Sequence, residues 1–220
     1  DGAIPKVARA GTAAGLLLWL SAAGSDETQK PAEGTGGMVS SAHPLATEAG
    51  LDVLAAGGNA FDAAVAVAAA LNVVEPAMSG MGGYGTILVY HAESGRARFL
   101  NSSGRLPSAI DSDVYRAPTP GYLDNRVGAK AVSTPGNVRA WEAMSRTYGS
   151  RPWASLFVAA IRHADSGFIL RPRDAAQIES GFADFPAHAK AFYGRNGKAL
   201  AAGEKLVQRD LARSLRRVAE

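Results

Sequence analysis

The chain has 220 residues, 47% of them hydrophobic, which is material for one globular domain or one and a half. Twenty-three basic against twenty acidic residues leave a net charge of +3, and no basic stripe with interleaved aromatics is present, so no nucleic-acid partner is expected. The absence of cysteine excludes disulfides, thiolate metal sites and a cysteine nucleophile.

Residues 1–24 begin with the basic Lys6 and Arg9, continue through the apolar run Ala10–Leu20 and close on Ser21, Ala22, Ala23 and Gly24. This is the pattern of a secretory signal segment, which predicts a periplasmic or secreted protein. The apolar run is too short for a stable membrane span. The alternative is a short N-terminal helix packed on the domain. Residues 25–37 are polar and rich in breakers and read as a linker, so the folded part is expected over 38–220.

Met38–Ser41 reads as a short strand ended by His43-Pro44, and Pro44 suits the first turn of a helix running to Ala56 with Gly57 closing it. Asn59 is the expected N-cap of an alanine-rich helix from Phe61 to about Val73. That helix is apolar nearly all round, which predicts full burial and close backbone approach. Glu75-Pro76 stops it, because proline lacks an N–H and pushes its predecessor out of the α region. The turn Ser79–Gly85 follows, its glycines expected at positive φ.

An antiparallel hairpin is predicted for Thr86–Tyr90 with Arg96–Leu100, followed by the loop Asn101–Pro107 and a surface excursion from Ser108 to Arg126. Ala129–Ser133 reads as another strand and Asn137 as the cap of a helix over Val138–Tyr148. One amphipathic helix is expected from Trp153 to Ser166 and a polar helical stretch from Arg171 broken at Pro186. The last helix, Asp210–Glu220, carries a basic, solvated face of Arg213, Arg216 and Arg217.

The chemistry these residues allow is narrow. A phosphate-binding loop runs from strand to helix, usually with a lysine, whereas the turn 79–85 runs from helix to strand and has none. Ser79 lacks the flanking glycines of a nucleophile elbow. His43, His91, His163 and His188 have no ligand spacing, so they read as structural or exposed, and neither a metal nor a cofactor is expected. Arg105 stands apart. It lies in a glycine-serine loop directly after a core strand, where a guanidinium can hold a carboxylate bidentately. The competing reading is a surface arginine.

Several runs together resemble the large-subunit half of the γ-glutamyltranspeptidases. They are Ser41–Gly50, Gly57–Val65, Val74–Gly83, Ala131–Gly136, Tyr148–Trp153, Ala164–Phe168 and Leu206–Leu211. The resemblance implies an α+β fold, the αββα sandwich of the N-terminal-nucleophile hydrolases, present here in part. It implies a precursor that cuts itself before a threonine, which then serves as nucleophile and, through its own α-amine, as general base. The substrate would be a γ-glutamyl amide such as glutathione, with the glutamyl group passed to water or an amine. None of the threonines present follows the self-cleavage motif, so no catalytic residue is expected in this chain, and obligate pairing with a C-terminal, small-subunit part is implied. Arg105 would be the substrate-binding clamp, although it stands two positions later than in the commoner Asp-x-Arg-Glu-x-Ala-Pro loop. That departure keeps two alternatives open: an amidohydrolase or acylase with another acyl donor, and a non-catalytic binding remnant of the fold.

Overall fold

The computed structural model describes residues 32–105, 107–111, 113–115, 124–126 and 128–220. The expected signal segment and most of the linker lie outside them. The elements below all belong to the unit Gly36–Glu220.

Helix α1, Pro44–Ala55, starts with proline at its first turn, where a missing N–H costs nothing, and His43 caps it by accepting the Leu45 N–H on Nδ1 at 3.1 Å. Gly57, at φ +85°, turns the chain toward helix α2, Ala60–Val74. A reciprocal capping box opens α2: Asn59 Oδ1 accepts the Phe61 and Asp62 N–H groups, and Asp62 Oδ2 accepts the Asn59 N–H. The two helices cross at Gly50, where a Cβ would lie 2.6 Å from Val67 Cγ2. Small residues therefore set the approach of α1 and α2. Burial of α2 is less complete than its composition predicts, because Ala60 and Ala64 are exposed and one stripe faces an open groove of about 560 Å³.

Asp62 is fully buried and does more than cap. Its carboxylate accepts the Ser150 N–H, the Ser150 hydroxyl at 2.7 Å and the Arg151 N–H, while Asn59 Nδ2 donates to the Tyr148 carbonyl at 2.7 Å. The start of α2 is thereby bonded to the segment that follows helix α3, Asn137–Tyr148. Burial pushes the Asp62 carboxyl up, but the donors from Asn59, Ser150 and Arg151 outweigh it and hold the group below the ordinary carboxylate value.

Strands β1, Thr86–His91, and β2, Arg96–Asn101, pair antiparallel from Thr86↔Asn101 to His91↔Arg96. Ile87 and Val89 turn toward Met144 and Tyr148 of α3. The opposite face is open: Leu88 and Phe99, directly paired, are 75% and 66% exposed, beside Tyr90. Beyond α3 the expected single helix is divided. Trp153–Phe157 forms a 3-10 turn after Pro152, and α4 spans Val158–Ser166. Gly167 at φ +79° leads to β3, Phe168–Ile169. Helices α5, Pro172–Phe182, and α6, Ala187–Tyr193, are separated at Pro186 as expected. The two-residue strands β4, Gly194–Arg195, and β5, Lys198–Ala199, pair with each other, and β6, Lys205–Leu206, pairs with β3. Helix α7, Arg209–Ala219, packs on α4 and is tied at both ends, by Gln208 Nε2 to the Val73 carbonyl and by Trp153 Nε1 to the Val218 carbonyl, each at 2.7 Å. The class is α+β as predicted, with helices and three two-stranded sheets among the described residues.

Two predicted strands are absent. Residues 38–41 form no regular element, with Val39 packed on Gly50, and residues 129–131 form a 3-10 turn that leaves Val132 exposed. In both places no described strand lies alongside to complete a ladder. The glycines of 79–85 also depart from expectation, since none of them adopts positive φ.

A buried charged cluster joins α1 to α5. Arg171 holds Asp174 in a fork, Nε to Oδ2 at 2.7 Å and Nη2 to Oδ1 at 2.9 Å, with His43 Nε2 at 3.6 Å from Asp174 Oδ2. Because Nδ1 accepts the Leu45 N–H, a neutral His43 carries its proton on Nε2. Burial and then the Arg171 charge lower the His43 pKa, against the smaller pull of Asp174, and His163 adds to the lowering. Burial, with help from Arg162 and against Glu48, likewise lowers His163. Burial pushes Asp174 up, but its bonds to Arg171 outweigh that and keep it low.

Three outcomes are expected. Asp62→Asn places an NH2 among N–H donors and should lower unfolding free energy in urea by about 2–4 kcal/mol, whereas Asp52→Asn on the exposed side of α1 should leave it unchanged. His43 and His163 are protonated more readily unfolded than folded, so their stabilisation is complete above about pH 6.5 and declines as pH falls toward 5, with a slope of at most about 1.4 kcal/mol per pH unit for each. Urea midpoints from pH 7 to 5 should show that decline, and His43→Asn, which keeps a capping side chain, should reduce its slope to the His163 contribution. Finally, Leu88→Lys with Phe99→Glu should reduce concentration-dependent association of the chain in sedimentation runs without moving its melting temperature.

Candidate substrate-binding cleft

Helix α2 ends at Glu75, and the chain passes Pro76 into the turn 79–85, which it delivers to the start of β1. Three segments meet there: this turn, the loop after β2 and residues 134–137. Ser102 closes the mouth of the hairpin. Its N–H donates to the Gly85 carbonyl at 2.9 Å, and its Oγ accepts the Gly85 N–H at 2.8 Å. The Gly83 carbonyl accepts the N–H groups of Gly136 at 3.0 Å and Asn137 at 3.1 Å, the orphan donors at the start of α3. A remote carbonyl thus performs the capping expected of Asn137, which is instead the first helical residue, and its Nδ2 donates to the Gly80 carbonyl at 3.2 Å.

Distance leaves little room for a side chain at Gly83 and none at Gly104 and Gly136. A Cβ on Gly83 would lie 3.0 Å from Asn137 Nδ2, one on Gly104 would lie 2.9 Å from the Thr134 carbonyl oxygen, and one on Gly136 would collide with the Ser102 carbonyl.

Arg105 follows Gly104 on this stitched base. It is exposed and lines a cleft of about 610 Å³ together with Tyr84, Val114, Tyr115, Lys130 and Thr134. Lys130 is already engaged: its Nζ lies 2.9 Å from Asp124 Oδ2, and its carbonyl accepts the Tyr115 hydroxyl at 2.8 Å. Among the described residues the Arg105 guanidinium has no carboxylate partner. The arrangement is a planar cationic fork on a fixed loop at the edge of a cleft with aromatic and apolar walls, suited to holding a carboxylate.

None of the four histidines lines this cleft. His43 is buried as a helix cap, His91 stacks near Phe61 and Tyr148, His163 is half-buried and His188 is exposed. No group of three or more His, Asp or Glu side chains among the described residues could hold a metal ion. No helix among them is long and apolar enough to cross a membrane. Tyr84 and the contacts of Gly83, Gly104 and Gly136 were not legible in the sequence, because they join segments tens of residues apart.

Comparison with known proteins supplies the context. The family model described as Gamma-glutamyltranspeptidase matches residues 46–220. The chain is 39% identical over 190 residues to the glutathione hydrolase-like YwrD proenzyme of Bacillus subtilis, covering 85% of this chain and 36% of that protein. It is 38% identical over 203 residues to the Acylase ACY 1 proenzyme of Pseudomonas sp. (strain V22), covering 87% and 36%. The chain therefore spans about a third of the length of these curated relatives. Its fold superposes on the crystal structure of Helicobacter pylori gamma-glutamyltranspeptidase with a TM-score of 0.79 at 31% identity, over 86% of this chain and 56% of that one. The sequence runs, the helix-turn-hairpin geometry and these matches agree, and the chain belongs to the γ-glutamyltranspeptidase family.

Proposed function

We propose that the chain is the N-terminal portion of a self-processing γ-glutamyl transferase or hydrolase that cleaves γ-glutamyl amides such as glutathione. The observation that carries this reading is Arg105, a guanidinium without a carboxylate partner among the described residues, on a loop joined to the turn at Gly85 beside the cleft. It binds the α-carboxylate of the glutamyl group bidentately and so fixes the γ-amide relative to the nucleophile.

The nucleophile is a threonine of the C-terminal, small-subunit part, with which this chain pairs obligately. Its hydroxyl oxygen adds to the amide carbonyl while its α-amine takes the hydroxyl proton, and backbone N–H groups stabilise the oxyanion. The proton passes to the departing amine, leaving a glutamyl ester on the threonine. Water or an acceptor amine then attacks the ester and releases the glutamyl group. Export to the periplasm or medium follows from the signal-like pattern of residues 1–24.

A second reading, an acylase acting on a different acyl donor, is favoured by the displaced arginine in Asn101–Pro107 and by the 38% identity to Acylase ACY 1. Turnover of matched γ-glutamyl and glutaryl amides by the complete protein separates the two.

In the complete precursor, Arg105→Lys should leave self-cleavage on a gel intact and lower kcat/KM for a γ-glutamyl amide on the order of 10- to 100-fold, mostly through KM, because lysine keeps the charge but loses the fork. An unchanged kcat/KM would remove Arg105 from the site.

A further inference from the structure

Tyr84 sits on the cleft in a manner that its fold does not require. It is 59% exposed, between two glycines whose backbones are bonded on both sides, Gly83 to the start of α3 and Gly85 to Ser102. The residue therefore has little backbone freedom, while its ring contributes little to the core. What sets it apart from the other exposed aromatics is its place beside the Arg105 cleft on a backbone that cannot turn it far away. The ring lines the same cleft as Arg105, and Tyr115, Ile110, Val114 and Val132 continue the aromatic and apolar lining. Tyr115 is itself fixed, its hydroxyl donating to the Lys130 carbonyl.

We propose that Tyr84 is a specificity-determining residue of this cleft, selecting amides that carry an aromatic ring in addition to the carboxylate held by Arg105. The inference rests on the reading of Arg105 as the carboxylate clamp. The guanidinium fixes one end of the ligand, and the Tyr84 ring offers a flat apolar face to the other. Aliphatic dicarboxylates use only the first contact. Aryl amides of dicarboxylic acids use both.

The test is calorimetric titration of the complete protein with two probes, glutarate and its monoanilide. Wild type should bind the monoanilide on the order of 10-fold more tightly than glutarate. Tyr84→Ala should bring that ratio to within about twofold while leaving glutarate affinity unchanged, and Tyr84→Phe should restore it, because the ring and not the hydroxyl makes the contact. Thermal melts of both variants should match wild type, since the ring lies outside the core. Arg105→Ala should weaken both probes together.

Equal wild-type affinity for the two probes, or a ratio that survives Tyr84→Ala, would overturn the role of Tyr84 and leave the clamp standing. Binding of the monoanilide that is indifferent to Arg105→Ala would overturn the clamp, and the inference with it. Failure of wild type to bind either probe overturns both.

Discussion

A single buried carboxylate sets the geometry on which the rest depends. Asp62 receives bonds from Asn59, from Ser150 twice and from Arg151, so one side chain ties the first turn of α2 to the segment between α3 and α4. The interaction works because the donors are mostly backbone N–H groups with no other acceptor, and a buried donor left dry is costly. A carboxylate is well matched to them, having acceptor sites and no proton of its own to place. Once α2 is aimed by this contact, the stop at Glu75-Pro76 fixes where the glycine turn emerges.

The cleft is built mainly from main-chain bonds. The Gly83 carbonyl caps α3, and Ser102 joins the hairpin mouth through both its backbone and its hydroxyl. Glycine permits this because three loops cross at distances a side chain could not tolerate. The charged cluster of His43, Arg171 and Asp174 plays a different part. Asp174 is engaged by the Arg171 fork, so a neutral His43 beside it acts as a cap for α1 and does not form an ion pair.

What was legible in the sequence was local. Asn59 with Asp62, Pro44 at a first turn, Glu75-Pro76 as a stop and the apolar run Thr86–Tyr90 each act within a few residues, and each produced its element, although the run, read as a buried strand, leaves Leu88 and Tyr90 exposed. Met38–Ser41 and Ala129–Ser133 have the composition of strands, but a strand needs a partner that composition does not supply. The two-residue ladders at Phe168 and Gly194 are too short to leave a periodic signal. Proline before Trp153 explains the 3-10 start of the next helix only in retrospect. At the cleft, Arg105 was visible because a charged residue in a glycine-serine loop after a strand is locally conspicuous. Tyr84 was hidden, since an aromatic among glycines reads as one more turn residue until its exposure is seen.

The stitching of the cleft also separates what must stay from what can vary. The bonds of the turn engage the main chain at Gly80, Gly83 and Gly85 with side chains of Ser102 and Asn137, and the side chain at position 84 takes part in none of those described. Relatives could therefore exchange that side chain without re-forming the loops around it. A change in the wall of the cleft at that position carries little thermodynamic risk, while Gly104, Gly136 and Ser102 beneath it are held by close contacts and bonds. The frame and the surface it carries are thus separable, and position 84 can change without altering the loops that hold it.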